Sequence, residues 1–289
     1  MHKPVKVLVT GANGQLATEI REIAAGYSAI TIDFADRNRL PVTDEDAIQR
    51  YFQAVQPDYC INCAAYTAVD KAEEPAEAAI AESVNATAVG YLARACAAHG
   101  TRFIHISTDY VFDGTASTPY KPESATNPLS VYGATKLKGE QLAHRYTDAV
   151  VIRTAWVYSA FGKNFVKTMM RLMNERPAIS VVNDQFGAPT YARDLAHAIL
   201  DIIAASSWVP GTYHYTNEGV ISWYDFAVAI KENIHSSCIV SPIPSEAYPT
   251  PAKRPAYSVL DTTSIKETYK VRTPYWESSL TECIKILVQ

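Results

Sequence analysis

Two observations predict a doubly wound, parallel α/β sheet followed by a smaller α/β lobe. Short β-branched runs alternate with segments of helical periodicity through the first half of the chain, and a glycine-rich turn separates the first run from the first helix. Strands and helices in this alternation form a parallel sheet that helices cover on both faces. Because ligands of such sheets bind at the carboxyl ends of the strands, we expect the functional site there.

The first elements follow from the local sequence in order. Residues 5–10 form a β-branched run that Gly11 ends, and residues 15–25 have helical spacing. A second β-branched run covers residues 29–33, and a helix-compatible segment covers residues 44–56. These patterns predict a strand, a tight turn, a helix, a second strand and a second helix.

The alternation continues towards the middle of the chain. Residues 58–64 predict a third strand, and the alanine-rich residues 74–99 predict a long helix. Residues 103–107 predict a fourth strand, residues 129–145 a helix, and residues 149–153 a fifth strand. All five predicted strands would then belong to one sheet.

After Trp156 the alternation breaks down, and prolines punctuate shorter elements. These prolines are Pro177, Pro189, Pro210, Pro242, Pro244, Pro249, Pro251 and Pro255. Residues 192–205 still predict a helix that could return to the first lobe. We therefore expect a first lobe of residues 1–160 with a return segment near 186–205, and a second lobe formed mainly by residues 161–289.

Composition and charge narrow the class of partner. The chain has 289 residues, of which 48% are hydrophobic and 19% charged, which is ordinary for a globular enzyme. Its formal net charge of -4 comes with no run of Lys or Arg, so we expect neither a nucleic acid polymer nor a membrane as a partner. No apolar stretch approaches the ~18 residues of a membrane span, and we expect a cytoplasmic protein.

The turn after the first predicted strand has the pattern G-x-x-G-x-x-A that is typical of dinucleotide-binding sheets. Its glycines allow the backbone to approach a pyrophosphate, whose charge is stabilised at the helix N-terminus. The candidate cofactor-binding residues here are Gly11, Asn13, Gly14, Gln15 and Leu16.

The second predicted strand leaves the choice of cofactor open. Asp33 is placed where a carboxylate binds the adenosine ribose diol of NAD. Arg37 and Arg39 follow within a few residues, and either guanidinium could bind the 2′-phosphate of NADP. The alternative is that both arginines are solvated loop charges. The sequence therefore predicts NADPH or NADH.

Tyr132 and Lys136 are the strongest indication of an oxidoreductase. They lie four residues apart in a predicted helix, so both side chains project from one face. An adjacent ammonium favours the phenolate and is expected to lower the pKa of Tyr132 from about 10. Together with Thr108 after the fourth predicted strand, this pair predicts a nicotinamide-dependent reductase.

With these motifs the chain resembles the extended short-chain dehydrogenases/reductases, which share the Rossmann fold, and within them the dTDP-4-dehydrorhamnose reductase family. The resemblance spans nearly the whole chain. It is carried by residues 14–16, 62–70, 107–112, 127–133, 153–158, 183–190 and 254–255. Residues 62–70, 153–158 and 183–190 are typical of this reductase group, whereas 14–16 and 127–133 occur in many sugar-nucleotide enzymes.

The resemblance implies an activity and a set of roles. Hydride passes from a nicotinamide to C4 of a dTDP-4-keto-6-deoxy-L-sugar, which yields dTDP-L-rhamnose for cell-surface polysaccharide. Tyr132 protonates the oxygen, Thr108 hydrogen-bonds to it, and Lys136 holds the nicotinamide ribose. The resemblance also implies cofactor contacts from Ala64, Ala65 and Tyr66. It implies substrate contacts from Thr108, Asp109, Tyr110, Val111, Trp156, Asn164 and Arg254.

Some members of this family carry an acidic residue early in the first helix as part of a magnesium site between subunits. Glu19 matches that residue, but the other acidic ligands have no secure match. We therefore predict no metal site, with Glu19 a weak candidate for Mg²⁺ that is otherwise a solvated helix charge. The sequence leaves a monomer and a homodimer open.

Other functions remain open at this stage, among them a sugar-nucleotide epimerase on the same scaffold. The chain could reduce another dTDP-4-keto-6-deoxy sugar, or it could be a non-catalytic regulatory subunit of the same fold. Retention of Thr108, Tyr132 and Lys136 together favours an enzyme. A dehydratase is disfavoured because Tyr110 stands where dehydratases of this type carry a glutamate that acts as acid and base.

Overall fold

The computed structural model describes residues 4–205 and 207–289. Residues 1–3 and 206, which the predicted lobes include, lie outside the described residues. The strands are β1 (Val5–Thr10), β2 (Ile30–Ala35), β3 (Tyr59–Asn62), β4 (Arg102–Thr108), β5 (Val150–Thr154), β6 (Val157–Tyr158), β7 (Ala178–Val182), β8 (Phe186–Gly187), β9 (Thr190–Tyr191), β10 (Gly211–His214), β11 (Ile221–Ser222) and β12 (Ile239–Ile243).

The α-helices alternate with these strands in the first half of the chain. They are α1 (Gln15–Ile23), α2 (Glu45–Val55), α3 (Pro75–Glu82), α4 (Ala88–His99), α5 (Val131–Tyr146), α6 (Phe165–Glu175), α7 (Ala192–Ala204), α8 (Trp223–Asn233), α9 (Thr263–Tyr269) and α10 (Trp276–Leu287).

The central sheet has the order β10-β5-β4-β3-β1-β2, and each neighbouring pair is parallel. From β1 the chain moves outward to β2 and then crosses to the other side as β3, so the order reverses between β1 and β3. The predicted doubly wound α/β fold is confirmed. The sheet also contains β10, a strand that the sequence analysis did not predict.

Local sequence sets several of the helix ends. The Asp44 side chain accepts a hydrogen bond from the Ala47 N–H at 2.9 Å and so caps α2, and Gln56 ends that helix in the left-handed conformation. Gly100 ends α4 with φ of 66°, where glycine carries no Cβ penalty. The predicted boundaries at these ends are correct to within about two residues.

The long helix predicted at 74–99 is interrupted by a π-helical turn, Ser83–Thr87, between α3 and α4. Asn85 in this turn is 1% exposed, and its amide accepts from Tyr66 N at 2.8 Å and donates to Tyr66 O at 3.1 Å. Helix α5 approaches the same turn so closely that a Cβ on Gly139 would lie 2.1 Å from Asn85 O. The prediction of one uninterrupted helix was wrong because these tertiary contacts favour the turn.

Three large hydrophobic cores stabilise the fold, and one of them lies between the central sheet and helices α2 and α4. A second core forms on the opposite face of the sheet with α1 and α7, and a third forms between α6, β7, α8 and α10. The strand pair β7–β12 is parallel and belongs to the core with α6, α8 and α10, while β10 adds to the edge of the central sheet beside β5. Both α7 and β10 therefore return to the sheet after the chain has left it. Within residues 4–205 and 207–289, no helix is both long and apolar enough to cross a membrane.

Candidate active site

Helix α5 presents Tyr132 and Lys136 beside the carboxyl end of β4. The Ser130 hydroxyl caps the helix by accepting a hydrogen bond from Gly133 N at 3.1 Å. A Cβ on Gly133 would lie 2.2 Å from Tyr110 O, so glycine is required for the first turn to approach the segment after β4. The rings of Tyr110 and Tyr132 consequently meet edge to face, with centroids 5.5 Å apart.

The Tyr132 side chain is half-buried, with protein packed around its ring where it borders the cavity described below. Burial raises the pKa of Tyr132 to about 12, an effect that the neighbouring Thr108 hydroxyl opposes and the charge of Asp109 reinforces. The prediction that Lys136 lowers this pKa was wrong, because the desolvation of the phenol dominates. Tyr132 is therefore protonated at neutral pH and can act as an acid.

Lys136 is 2% exposed, and its Nζ donates a hydrogen bond to Ile106 O at 2.6 Å. Burial lowers the pKa of Lys136 to about 8, while Glu140 and Cys63 act in the opposite direction. Its ammonium therefore titrates close to neutral pH instead of near its free value.

Glu140, one helical turn beyond Lys136, anchors the buried side of α5. Its Oε2 pairs with Arg153 Nη2 at 2.7 Å, and the two side chains are 3% and 6% exposed. The Ser107 hydroxyl donates to Glu140 Oε1 at 2.5 Å, and Arg153 Nη1 donates to Pro122 O at 3.0 Å. This network ties α5 to β4 and β5 directly beneath the candidate catalytic residues.

Thr108 is the last residue of β4, and its hydroxyl donates to Asp109 Oδ1 at 3.0 Å while it accepts from Tyr110 N at 3.2 Å. Asp109 is 2% exposed, and its Oδ2 has no hydrogen-bond partner among the described residues. Burial raises the pKa of Asp109 to about 6, against the hydrogen bonds that stabilise its charged form. Asp109 Oδ1 therefore holds the Thr108 hydroxyl in place at the end of β4.

A cavity of about 620 Å³ joins these side chains to the turn after β1, at the carboxyl ends of the strands. It lies where the strand order reverses, which is the usual ligand position in doubly wound sheets. The predicted site residues that line it are Asn13, Gly14, Gln15, Leu16, Ala65, Thr108, Asp109, Tyr110, Tyr132, Lys136 and Trp156. The structure thus brings the glycine-rich turn and the tyrosine–lysine pair to one cavity.

The remaining predicted residues lie outside the lining of this cavity. They are Gly11, Asp33, Arg37, Ala64, Tyr66, Val111, Asn164 and Arg254. Val111 is fully buried in a core with Phe112 and Tyr120, and Tyr66 donates its hydroxyl to Glu77 Oε2 at 2.6 Å. These two side chains therefore have structural partners within the protein.

Other lining residues were missed by the sequence analysis. They are Cys63, Thr67, Val69, Ile106, Ser107, Thr154, Val157, Gly162, Lys163 and Leu195. Cys63 directly follows β3 and Thr154 ends β5, so their positions at strand ends were a usable signal. Lys163 and Leu195 come from elements that only the tertiary structure brings to the cavity.

The turn after β1 has the geometry that a dinucleotide requires. Gly11 has φ of 66°, and a Cβ there would lie 2.7 Å from Ala64 N, so only glycine fits between β1 and the end of β3. Helix α1 then begins after Gly14, and within the described chain neither a side-chain cap nor an acidic residue in the first turn occupies its amides. These free N–H groups fit an anionic pyrophosphate.

At the end of β2, two of the residues predicted to determine the preference for NADH or NADPH, Asp33 and Arg39, contact each other. The strand continues past Asp33 to Ala35, and Asp33 forms an ion pair with Arg39 and accepts a hydrogen bond from the Tyr51 hydroxyl at 2.8 Å. Asp36, which sequence analysis missed, directly follows the strand. Its Oδ2 lies 3.5 Å from the Asn13 amide nitrogen, and Arg37 is exposed.

Arg254 and Asn164 are held by partners in the protein. Both terminal nitrogens of Arg254 donate to the Asp70 carboxylate, at 3.0 and 2.8 Å, which joins the loop after β3 to the second lobe. Asn164 caps α6 through Lys167 N at 3.0 Å and donates its amide to Gln15 Oε1 at 2.9 Å. Asn164 therefore supports the cofactor turn through Gln15.

Glu19 is fully buried on α1, so its description as a solvated helix charge was wrong. The Ser159 hydroxyl donates to Glu19 Oε1 at 2.6 Å, and Arg193 lies 3.6 Å from Oε2. Burial raises the pKa of Glu19, which these two partners oppose. Among residues 4–205 and 207–289, no group of three or more His, Cys, Asp or Glu side chains is arranged to hold a metal ion.

Comparisons with known proteins agree on one family. A family model described as the RmlD substrate binding domain matches residues 5–289. A dTDP-4-dehydrorhamnose reductase of Burkholderia thailandensis is 42% identical over 304 residues, which cover 98% of this chain and 99% of that protein.

Solved structures of similar proteins have the same architecture. A dTDP-4-dehydrorhamnose reductase from Clostridium acetobutylicum superposes with a TM-score of 0.94 at 41% identity, covering 99% of this chain and 100% of the other. A dTDP-4-dehydrorhamnose reductase from Bacillus anthracis, in complex with NADP, superposes with a TM-score of 0.93 at 36% identity, covering 98% and 99%. The similarity therefore extends over both lobes.

Proposed function

The chain belongs to the dTDP-4-dehydrorhamnose reductase family, and we propose that it reduces the C4 ketone of dTDP-4-dehydro-6-deoxy-L-mannose to give dTDP-L-rhamnose. The observation that carries this proposal is the convergence of Thr108, Tyr132 and Lys136 with the glycine-rich turn on a single cavity. A binding subunit has no chemical need for a tyrosine acid and a buried lysine together beside a dinucleotide turn.

When bound, a reduced nicotinamide would supply the hydride for C4 of the ketone. Tyr132, protonated because burial raises its pKa, gives its phenolic proton to the oxygen that becomes the C4 hydroxyl. The Lys136 ammonium stabilises the phenolate that Tyr132 leaves behind. Thr108 orients the ketone by donating to the same oxygen, and a ligand oxygen would compete with Asp109 for that proton.

The turn residues hold the cofactor's pyrophosphate in this proposal. Gly11 permits the close contact with Ala64, and the amides at the start of α1 donate to the phosphate oxygens. Gln15 and Leu16 line the same cavity wall, and Asn164 fixes the Gln15 side chain. The nicotinamide end would then lie beside Tyr132 and Lys136.

We infer a preference for NADPH over NADH. The Asp33 carboxylate is engaged by Arg39 and Tyr51 and is not free for a ribose diol, whereas Arg37 is exposed. Two guanidinium groups close to this strand end are suited to bind a 2′-phosphate. The complex of the Bacillus anthracis relative with NADP supports the same preference.

Replacing both Arg37 and Arg39 by Ala is expected to raise KM for NADPH by about 10-fold or more, through lost charge-assisted hydrogen bonds. KM for NADH should change little, because NADH carries no 2′-phosphate for these guanidinium groups to bind. Steady-state kinetics with each cofactor test this. Arg171→Ala, which removes an exposed arginine of α6 that pairs with Glu175, is the matched control. Equal losses for both cofactors would contradict the assignment.

The pH dependence of kcat/KM should reflect the titration of the Lys136 ammonium. Because burial lowers the pKa of Lys136 to about 8, kcat/KM is expected to fall as pH rises through about 8 and the ammonium is lost. The cofactor's negative charge would favour the ammonium, so the falling limb of kcat should lie at higher pH. Lys136→Arg stays charged at these pH values and should lack this limb, even if its activity is lower. A limb that persists in that variant would assign the titration to another group.

The decisive test of the reaction measures absorbance at the reduced-nicotinamide band. The keto sugar is generated in situ by the upstream enzymes, and NADPH and NADH are compared in parallel. Oxidation coupled to the appearance of dTDP-L-rhamnose is the expected result. Bound cofactor without oxidation, despite a confirmed supply of the keto sugar, would overturn the proposal in favour of another sugar or a regulatory subunit.

A further inference from the structure

The cavity wall contains a tryptophan whose backbone is in a conformation that its residue type rarely adopts. Trp156, between β5 and β6, has φ of 50°, in the left-handed region that favours glycine. A bulky residue remains in this region only when its surroundings hold it there. Trp156 lines the same cavity as Thr108 and Tyr132, so the strained residue lies at the proposed sugar end.

Two neighbours hold the Trp156 indole. Trp223 stacks on it with ring centroids 3.6 Å apart and an angle of 11° between the planes. On Gly187, a Cβ would lie 2.7 Å from Trp156 Cε2 and 3.0 Å from Nε1, so the indole occupies space that only a glycine leaves. Trp223 therefore provides the aromatic surface on which the indole stacks, and Gly187 leaves the space that the indole occupies.

The strand pairing of the second lobe brings these two neighbours together. Ile221 in β11 pairs with Gly187 in β8, and Trp223 begins α8 directly after β11. The Ser222 hydroxyl and the Asp225 carboxylate form a capping box at that helix start, which fixes the backbone that carries Trp223. The Trp223 ring is further packed by Phe165, with centroids 4.7 Å apart.

We propose that Trp223 is a positioning residue for the sugar subsite: it holds Trp156 in its left-handed conformation as a rigid wall of the cavity. Trp223 itself is not part of the lining of the cavity described above, so it acts through Trp156. This inference rests on the proposed function, because it assigns the cavity wall to the sugar of the nucleotide substrate. It also gives Gly187 a role, since any side chain there would displace the indole.

The first test compares Trp223→Leu with Trp208→Leu. Trp208 packs on Tyr59 at the opposite, amino-terminal side of the sheet and serves as the matched loss of a tryptophan. Trp223→Leu is expected to weaken dTDP-L-rhamnose binding and raise the sugar-nucleotide KM by about 10-fold. Its affinity for dTDP without the sugar, and for NADPH, should stay near wild type. Titration calorimetry with dTDP-L-rhamnose, dTDP and NADPH separates these effects.

Two further variants guard against a simple loss of folding. Trp223→Phe keeps an aromatic face and should restore most of the affinity for dTDP-L-rhamnose. Gly187→Ala leaves Trp223 intact but places a methyl group in the space that the Trp156 indole occupies. It should therefore weaken dTDP-L-rhamnose binding as Trp223→Leu does. The stacked indoles should give a coupled circular dichroism signal in the wild type that Trp223→Leu and Trp223→Phe lose and Trp208→Leu retains.

The outcomes distinguish the two levels of inference. An inactive wild type, with cofactor bound and keto sugar supplied, would overturn the proposed function and this subsite with it. An active wild type in which Trp223→Leu weakens dTDP and dTDP-L-rhamnose equally, or weakens neither, would overturn the positioning role alone. Equal effects of Trp223→Leu and Trp208→Leu on dTDP-L-rhamnose would do the same.

Discussion

Replacing Tyr132 by Phe is expected to lower kcat by roughly 10²- to 10⁴-fold, the usual range for loss of a positioned general acid. The substitution removes only the phenolic oxygen, and the ring keeps its edge-to-face contact with Tyr110. Cofactor affinity should therefore stay close to wild type. Single-turnover NADPH oxidation measures the chemical step, and fluorescence of the bound nicotinamide measures the affinity.

Tyr146→Phe is the matched control for this experiment. Tyr146 is the last residue of α5, outside the cavity lining, so the same atom is removed from the same helix. The control should retain wild-type turnover. If Tyr132→Phe also retained it, the proton would have to come from another group, and Asp109, whose pKa burial raises to about 6, would be the first to examine.

The alternation of strands and helices predicted the sheet because each strand is a local run with its own boundary. The strand β10 has no such signal: Gly211–His214 is a four-residue segment that begins with glycine and becomes a strand only by pairing with β5. The π-helical turn at Ser83–Thr87 was likewise hidden, because it depends on contacts of Asn85 with a distant loop. The local sequence pattern does not show which distant segments contact each other.

In the candidate site, too, the features set by local sequence could be predicted and those set by long-range contacts could not. The turn at Gly11 and the Tyr132/Lys136 pair could be predicted because their geometry depends on spacing within one element. The direction in which the pKa of Tyr132 shifts could not be predicted, since it depends on how much protein surrounds the phenol. Trp156 was predicted at the cavity by resemblance, but its left-handed backbone and its stack on Trp223 arise from pairing between distant segments.

A buried ion pair lies beneath the helix that carries Tyr132 and Lys136. Arg153 donates from Nε and Nη2 to the Glu140 carboxylate, and the Ser107 hydroxyl completes the contacts of Glu140 Oε1. A buried pair of this kind adds little net stability over apolar residues of the same shape. Removing one partner is different, because the remaining charge is left buried without compensation.

Glu140→Ala is therefore expected to lower the free energy of unfolding by about 3–5 kcal/mol, since Arg153 loses its counter-charge in the interior. Urea unfolding of the purified variant measures this, and Glu140→Gln, which keeps the shape and part of the hydrogen bonding, should lose less. Glu82→Ala is the matched control, because Glu82 pairs with Lys138 of the same helix at the surface, where a pair contributes at most about 1 kcal/mol. Similar losses for Glu140→Ala and Glu82→Ala would mean that Arg153 finds water or another acceptor when Glu140 is absent. The ion pair would then not be what fixes α5, and with it Tyr132 and Lys136, against the sheet.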